Sequence, residues 1–314
     1  MEAAMYRIGI DLGGTTVKIG LLDEAGNLIK MSIPTESSRG YQQVFRSISE
    51  CVFGMLKEQG ITMDQVEHVG LDTPGILSED GMSILFASNL NFVNVEAVAE
   101  LKKYFHCPVT MKNDADSAAL GEHVYGAGKG CDHTVTITIG TGIGAGIVID
   151  NRIMAGSFRS GGEIGHHILV VDGEPCPCGQ RGCMERYCSA TALIEDAKAR
   201  AAQYPDSEFA KLCQSGQVDA KAVFQAAEAG DWAAIAAIDR FIRYLGVGII
   251  NVINILQPQA VIIGGGVSGA GDMLIRPLKA YIKNHLLFGE QNFRTDIRCA
   301  KLGNDAGMIG AALM

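Results

Sequence analysis

Two stretches of this chain, far apart along it, are written to one plan. Ile10–Asp23 reads IDLGGTTVKIGLLD and Ile137–Asp150 reads ITIGTGIGAGIVID. Each is a β-rich run, a turn of glycine and threonine, a second β-rich run and a closing aspartate. β-branched and leucine residues on both sides of a glycine turn spell two short strands. Finding the plan twice predicts a duplicated α/β unit. No other feature constrains the fold as much.

The segments around the two hairpins fit that unit. EHVGLD and CPVTMKN read as further strands, while Val44, Ile48, Val52 and Leu56 recur at helical spacing, as do Val95, Val98 and Leu101. Strands alternating with helices imply a sheet with helices on its faces. Ala190–Leu256 is helical in pattern, with Asp231 as an N-cap and Pro258 marking the exit. AVIIGGG is a buried strand entering a glycine turn, and NDAGMIGAALM is a closing helix capped by Asn304 or Asp305. Among the 314 residues no low-complexity linker separates the blocks. The expected division is a smaller domain of residues 1–117 plus 301–314, and a larger one of 118–300.

The glycine turns suggest phosphate chemistry. Gly13, Gly14, Thr15 and Thr16 form one, and Gly140, Thr141, Gly142 and Gly144 the other. Glycines let main-chain N–H groups approach an anion, and threonine hydroxyls add donors. Both turns lie between strands, unlike a Walker loop, and G-x-x-x-x-G-K-[ST] is absent from the chain. Facing each other, they fit the phosphates of one nucleotide. Lys18, just past the first turn, is grouped with it as cofactor-binding. Asp11 is placed to hold Mg²⁺ through water, because magnesium favours one or two carboxylates plus phosphate oxygens. Gly264, Gly266 and Gly269 match a dinucleotide fingerprint, but a first βαβ unit normally carries that pattern.

Four of the nine cysteines fall between Cys176 and Cys188. Cys176, Cys178 and Cys183, with Gly179 and Gly182 among them, have the spacing of a loop folded around one zinc ion. The fourth ligand is Cys188, His166 or His167. Four protein ligands leave no open position, so this metal is structural. It would bring Glu163 and Glu185 to one spot, where two carboxylates and an imidazole suit neighbouring sugar hydroxyls. Asn113 and Asp114 end a strand, the place where open α/β sheets bind ligands. Asp114 is the candidate base, taking the proton of a sugar hydroxyl as it attacks the γ-phosphate. It also qualifies as the N-cap of the following helix, as does Asp116.

Composition narrows the classes. A net charge of −9 with Lys and Arg scattered singly offers no basic stripe for nucleic acid. The longest apolar run, Leu245–Leu256, is broken by Asn251 and Asn254 and falls short of the roughly 20 residues of a membrane span. Few residues precede the first strand, so no signal peptide is expected. A cytoplasmic protein, with its thiols reduced, is the expectation.

Taken together, DLGGTT, TPG, SNL, NDADSAALGE, IGTGIGAGI, GGEIGH, CPCGQRGCMERYCS, VIIGGG and LGNDAGMIGAA resemble the ROK family of repressors, open reading frames and kinases, in family order over essentially the whole chain. The resemblance implies an actin-like, ribonuclease H-like ATPase fold of two α/β domains with a cleft between them. It implies that His166 completes the zinc site with Cys176, Cys178 and Cys183, leaving Cys188 a spare thiol. It also implies sugar contacts from Asn89, Asn113, Asp114, Glu163, His166 and Glu185, and adenosine contacts from Gly264, Gly265 and Gly266. His166 would serve twice, one ring nitrogen on zinc and the other toward the sugar. The implied activity is transfer of the ATP γ-phosphate to the 6-hydroxyl of a hexose, foremost glucose, by a homodimer or homotetramer. N-acetylmannosamine, fructose, allose and mannose kinases share these motifs. A sugar-sensing repressor is the alternative from another class, though such repressors carry a helix-turn-helix module ahead of the first glycine turn. An actin-like structural ATPase is a third, but it gives the cysteine cluster no role.

Overall fold

The structure, a computed structural model, describes residues 4–216, 218–287, 289–292 and 294–314. The chain forms two compact units. One is Met1–Gly130, Gly146–Gly161 and Asn304–Met314; the other is Cys131–Ala145 and Gly162–Gly303. The sequence suggests divisions at 117/118 and 300/301; by packing, residues 118–130 and 146–161 also sit with the first unit, and residues 301–303 with the second.

In the first unit, β1 (Tyr6–Leu12), β2 (Thr16–Asp23), β3 (Leu28–Pro34), β4 (Val66–Thr73) and β8 (Val109–Asn113) form one sheet, ordered β3-β2-β1-β4-β8. A smaller sheet joins β5 (Ile76–Leu77), β6 (Ile84–Ala87) and β7 (Phe92–Val95). β1 and β2 are the predicted hairpin, antiparallel with Asp11 opposite Lys18, and β4 and β8 continue the sheet in parallel. One face carries Ile8, Ile10, Val69, Leu71 and Met111, in one core with Val44, Phe45, Ile48 and Val52 of α1 (Tyr41–Gln59). Helices α2 (Ala97–Leu101) and α3 (Asp114–Val124) follow β7 and β8.

The opposite face is a floor of glycine. Gly20, Gly9 and Gly70 stand opposite one another on β2, β1 and β4. A Cβ on Gly9 would lie 1.9 Å from the Met308 carbonyl oxygen, and one on Gly70 would lie 1.8 Å from that of Ala311. The last helix of the chain, Ala306–Ala312, therefore rests directly on the sheet backbone. Its own small residues allow the same approach to α3, where a Cβ on Gly310 would stand 1.7 Å from the Ser117 carbonyl.

The second sheet repeats the first. β9 (Thr134–Ile139), β10 (Ile143–Ile149), β11 (Arg152–Ile153), β12 (Ala260–Gly264) and β13 (Asp296–Cys299) run in the order β11-β10-β9-β12-β13. Renumbered from its own start, this is the order of the first sheet, with β12 parallel to both β9 and β13. The duplication read from two hairpins thus extends to whole sheets.

Among the described residues the second unit has the α-helices α4 (Glu185–Cys188), α5 (Ala190–Ala201), α6 (Glu208–Gln214), α7 (Ala220–Glu228), α8 (Trp232–Leu256) and α9 (Asp272–His285). Asp231 caps α8 as expected, accepting the Ala234 amide at 3.0 Å. That helix ends with Gln257 in a left-handed conformation just before Pro258. The terminal helix, α10, starts after Asp305, but the Asp305 carboxylate pairs with Lys30 at 2.6 Å and makes no capping bond. Among the described residues no helix is long and apolar enough to cross a membrane.

Candidate active site

In the first unit the acids gather where β1, β4 and α3 meet α10. Asp11 ends β1, and its Oδ2 accepts Lys18 Nζ at 2.7 Å; the same ammonium donates to the Asn304 carbonyl at 3.1 Å. Beside Asp11, in register on β4, stands Asp72, an acid that the sequence reading did not single out. Asp72 is fully buried, and among the described residues neither carboxylate oxygen meets a hydrogen-bond partner. Gly307 makes the room: a Cβ there would sit 2.9 Å from Asp72 Oδ2 and 3.7 Å from Asp11 Cγ. Burial, together with the charges of Asp11 and Asp114, pushes the Asp72 carboxyl well above the usual carboxylate range. The one signal available in sequence was an aspartate directly after the apolar run VGL near the end of the strand.

Asp114 opens α3 without capping it. The N-cap is Asn113, whose Oδ1 accepts the Ala115 amide at 2.9 Å, while Asp114 Oδ1 meets the same amide at 2.8 Å. The expected caps Asp114 and Asp116 therefore lie inside the helix. Asp116 is buried, and Asp114 is exposed at the C-terminal end of the parallel strands. Capping occupies the Asn113 carbonyl oxygen and leaves its NH₂ as the group that can meet a ligand. Asn89, in the turn between β6 and β7, packs on the first glycine turn: a Cβ on Gly14 would lie 3.0 Å from its carbonyl oxygen. Asp11, Gly13–Thr16, Lys18 and Asn89 thus all border that turn or its strands, with Asp114 near Asp72.

The second unit assembles the rest. A Cβ on Gly265 would lie 2.3 Å from the Ile139 carbonyl, so the Gly264–Gly266 turn abuts the turn that begins at Gly140. Both lie at the C-terminal ends of parallel strands β9 and β12. Glu185 Oε2 accepts the Ile143 amide at 2.8 Å, and a Cβ on Gly142 would strike that oxygen at 2.3 Å. Gly165 packs as closely on the Ile143 carbonyl, at 2.3 Å. Glu163, His166 and Glu185 are therefore drawn to one strand start, with Glu163 exposed.

Behind them, one donor atom each from His166, Cys176, Cys178 and Cys183 lies within 4.8 Å of all the others. His166 Nδ1 is 3.7 Å from Cys176 Sγ, and the sulfurs of Cys178 and Cys183 are 3.6 Å apart. Sulfurs bound tetrahedrally at about 2.3 Å from one zinc would be roughly 3.8 Å apart, so the donor set fits that ion. Gly179 and Gly182, both at positive φ, supply the turns. Cys188 stands apart from this group as a fully buried thiol.

Comparison with known proteins covers the same length. The ROK family pattern matches residues 7–314. A glucokinase of Halalkalibacterium halodurans is 37% identical over 97% of this chain and 93% of that protein. The crystal structure of a ROK family glucokinase from Streptomyces griseus, in complex with glucose and AMPPNP, is 33% identical and superposes with a TM-score of 0.80 over 98% of both chains. A xylose repressor of Caldicellulosiruptor bescii is 29% identical over 98% of this chain but 77% of that protein. The fold is the actin-like ATPase fold of the ROK sugar kinases. Because the pattern runs from the first strand to the last residue, through both glycine turns and the cysteine cluster, the chain belongs to the ROK family.

Proposed function

We propose that this protein is an ATP-dependent glucokinase, transferring the γ-phosphate of ATP to the 6-hydroxyl of glucose. The observation that carries the reading is Asp114, an exposed carboxylate at the start of α3 whose charge acts on buried Asp72, the register neighbour of Asp11. In this reading the 6-hydroxyl oxygen attacks the γ-phosphorus, its proton passes to Asp114, and ADP leaves. Asn89 and Asn113 of the first unit, with Glu163, His166 and Glu185 of the second, are assigned to the sugar hydroxyls. The glycine turns and Lys18 are assigned to the phosphates, and Gly264–Gly266 to the adenosine. Mg²⁺, when bound, would neutralise charge on the phosphates, and Asp11 is the residue that would hold it, through water.

The Cys/His cluster is assigned to a structural zinc, which requires its thiols reduced and so favours a cytoplasmic setting. Self-association is part of the reading. It is supported by large apolar side chains left exposed at the two ends of α8, Trp232 and Ile255, which are 56% and 80% accessible.

The test is an ADP-release assay over a panel of hexoses and N-acetylhexosamines. Glucose should be the preferred acceptor. A preference for N-acetylmannosamine, fructose, allose or mannose would move the assignment within the kinases. Sugar binding with no phosphorylation of any of them would refute it in favour of a sugar-sensing regulator.

A further inference from the structure

Each glycine turn is held from behind by a threonine outside every site assigned above. In the second unit, the Ala190 amide donates to the Gly140 carbonyl at 2.9 Å, and the Thr191 hydroxyl donates to the Thr141 carbonyl at 2.9 Å. In the first unit, the Thr35 hydroxyl donates to the Gly13 carbonyl at 2.6 Å and its amide to the Thr15 carbonyl at 3.0 Å. Thr35 directly follows β3, and Thr191 lies in the first turn of α5.

Elementary peptide geometry says what these bonds accomplish. In a trans peptide the C=O of one residue and the N–H of the next point in opposite directions, and there are no cis bonds among the described residues. Drawing the Gly140 and Thr141 carbonyls toward α5 turns the Thr141 and Gly142 amides away from it. Drawing the Gly13 carbonyl toward Thr35 turns the Gly14 amide away likewise. Among the described residues, these three amides donate to no protein acceptor. Successive outward N–H groups in a glycine turn form an anion-binding concavity. The neighbouring Ile143 amide is already taken by Glu185, so the donors left over are those facing outward.

We propose that Thr35 and Thr191 are positioning residues for the nucleotide phosphates, each fixing a turn carbonyl so that the following amide is aimed at a phosphate oxygen. This rests on the kinase reading and adds to it two residues that never touch substrate. It also gives the cysteine cluster a second consequence. The chain runs from Cys183 through Glu185 to Thr191, so a metal that fixes the cluster fixes the nucleotide turn as well as the sugar contacts.

The test replaces each hydroxyl while keeping its shape. Thr191→Val and Thr35→Val should each raise the KM for ATP and the calorimetric Kd for ADP roughly three- to tenfold, the worth of one neutral hydrogen bond. The KM for glucose should stay within about twofold of wild type, since none of the lost bonds reaches the sugar residues. Thr191→Ser and Thr35→Ser, which keep the hydroxyl, should return both nucleotide constants to near wild type. An unchanged ADP Kd in Thr191→Val would overturn the proposal, and so would serine variants as poor as the valines, which would assign the role to methyl packing. Thr35 is buried, so its valine variant risks misfolding; half-exposed Thr191 carries the test on its own. A wild-type protein that binds no ADP would bring down the kinase reading and this proposal together. Normal wild-type turnover with indifferent variants would remove only the proposal.

Discussion

Gly70→Ala tests the packing on which the first unit's acids depend. The new methyl carbon would start 1.8 Å from the Ala311 carbonyl oxygen and 2.5 Å from its carbon. A carbon–oxygen contact normally opens at about 3.3 Å, so the surfaces must part by roughly 1.5 Å, one residue's rise along a helix. The nearest atoms that the methyl meets all belong to the Ala311 backbone on α10, so no rotamer change absorbs the overlap. α10 has to lift, and it gives up its equally close seats on Gly9 and against α3. Overpacking ordinarily costs about 1–3 kcal/mol; with no side chain free to yield, we expect about 3–5 kcal/mol. Gly54→Ala is the control. It lies within α1 with no atom inside 4 Å of the added methyl, and should gain about 1 kcal/mol from helix propensity. Urea unfolding at constant m measures both. The same lift moves Gly307 off Asp11 and Asp72 and the Asn304 carbonyl off Lys18, so turnover should fall along with stability. A Gly70→Ala protein within about 1 kcal/mol of wild type would refute the glycine-floor argument.

Three further outcomes follow from the site. Asp114→Asn should lose at least ~10²-fold in turnover with glucose affinity largely kept, measured by calorimetry and steady-state kinetics; near-normal turnover would end its assignment as base. Cys178→Ser should lose bound zinc and activity together, read by metal analysis alongside the assay, whereas a metal-free and fully active variant would contradict the role given to the cluster. Asp72 has its carboxyl pushed upward by burial and by Asp11 and Asp114, so the unfolded chain gives up that proton more readily than the folded one. Its contribution is thus fullest in acid and is lost as pH rises through the folded value. Asp72→Asn should gain stability over wild type progressively as pH rises above the ordinary carboxylate range, and an advantage that does not grow with pH would show the buried acid to be unstrained.

What could be read from the sequence, and what could not, divides by physical range. The cysteine cluster was legible because its ligands lie close together in the chain, and three thiols with two turn-forming glycines have few other uses. The hairpins were legible because a glycine turn between apolar runs is a local signal. The cap of α3 was not. Asn113, Asp114 and Asp116 all qualify by type, and only the end of β8 decides that Asn113 takes the position. Asp72 was missed because what matters about it is its neighbour in register, Asp11, set by the pairing of two strands far apart in sequence.

The bracing threonines were hidden for a subtler reason. The two sheets share one strand order, and each glycine turn has two of its carbonyls held from behind. Duplication therefore preserved a pattern of hydrogen bonds while changing the residues that make it. Thr35 supplies both amide and hydroxyl in the first unit, but Ala190 and Thr191 divide those roles in the second. The first brace leaves a strand edge and the second opens a helix, so aligning the hairpins stops short of both. A backbone amide is indifferent to side-chain identity, which lets the segment that holds the turn drift in sequence and secondary structure so long as it arrives behind the carbonyls. The geometry of the phosphate donors is thus fixed by where chain segments return, and sequence repeats report that only where the return is short.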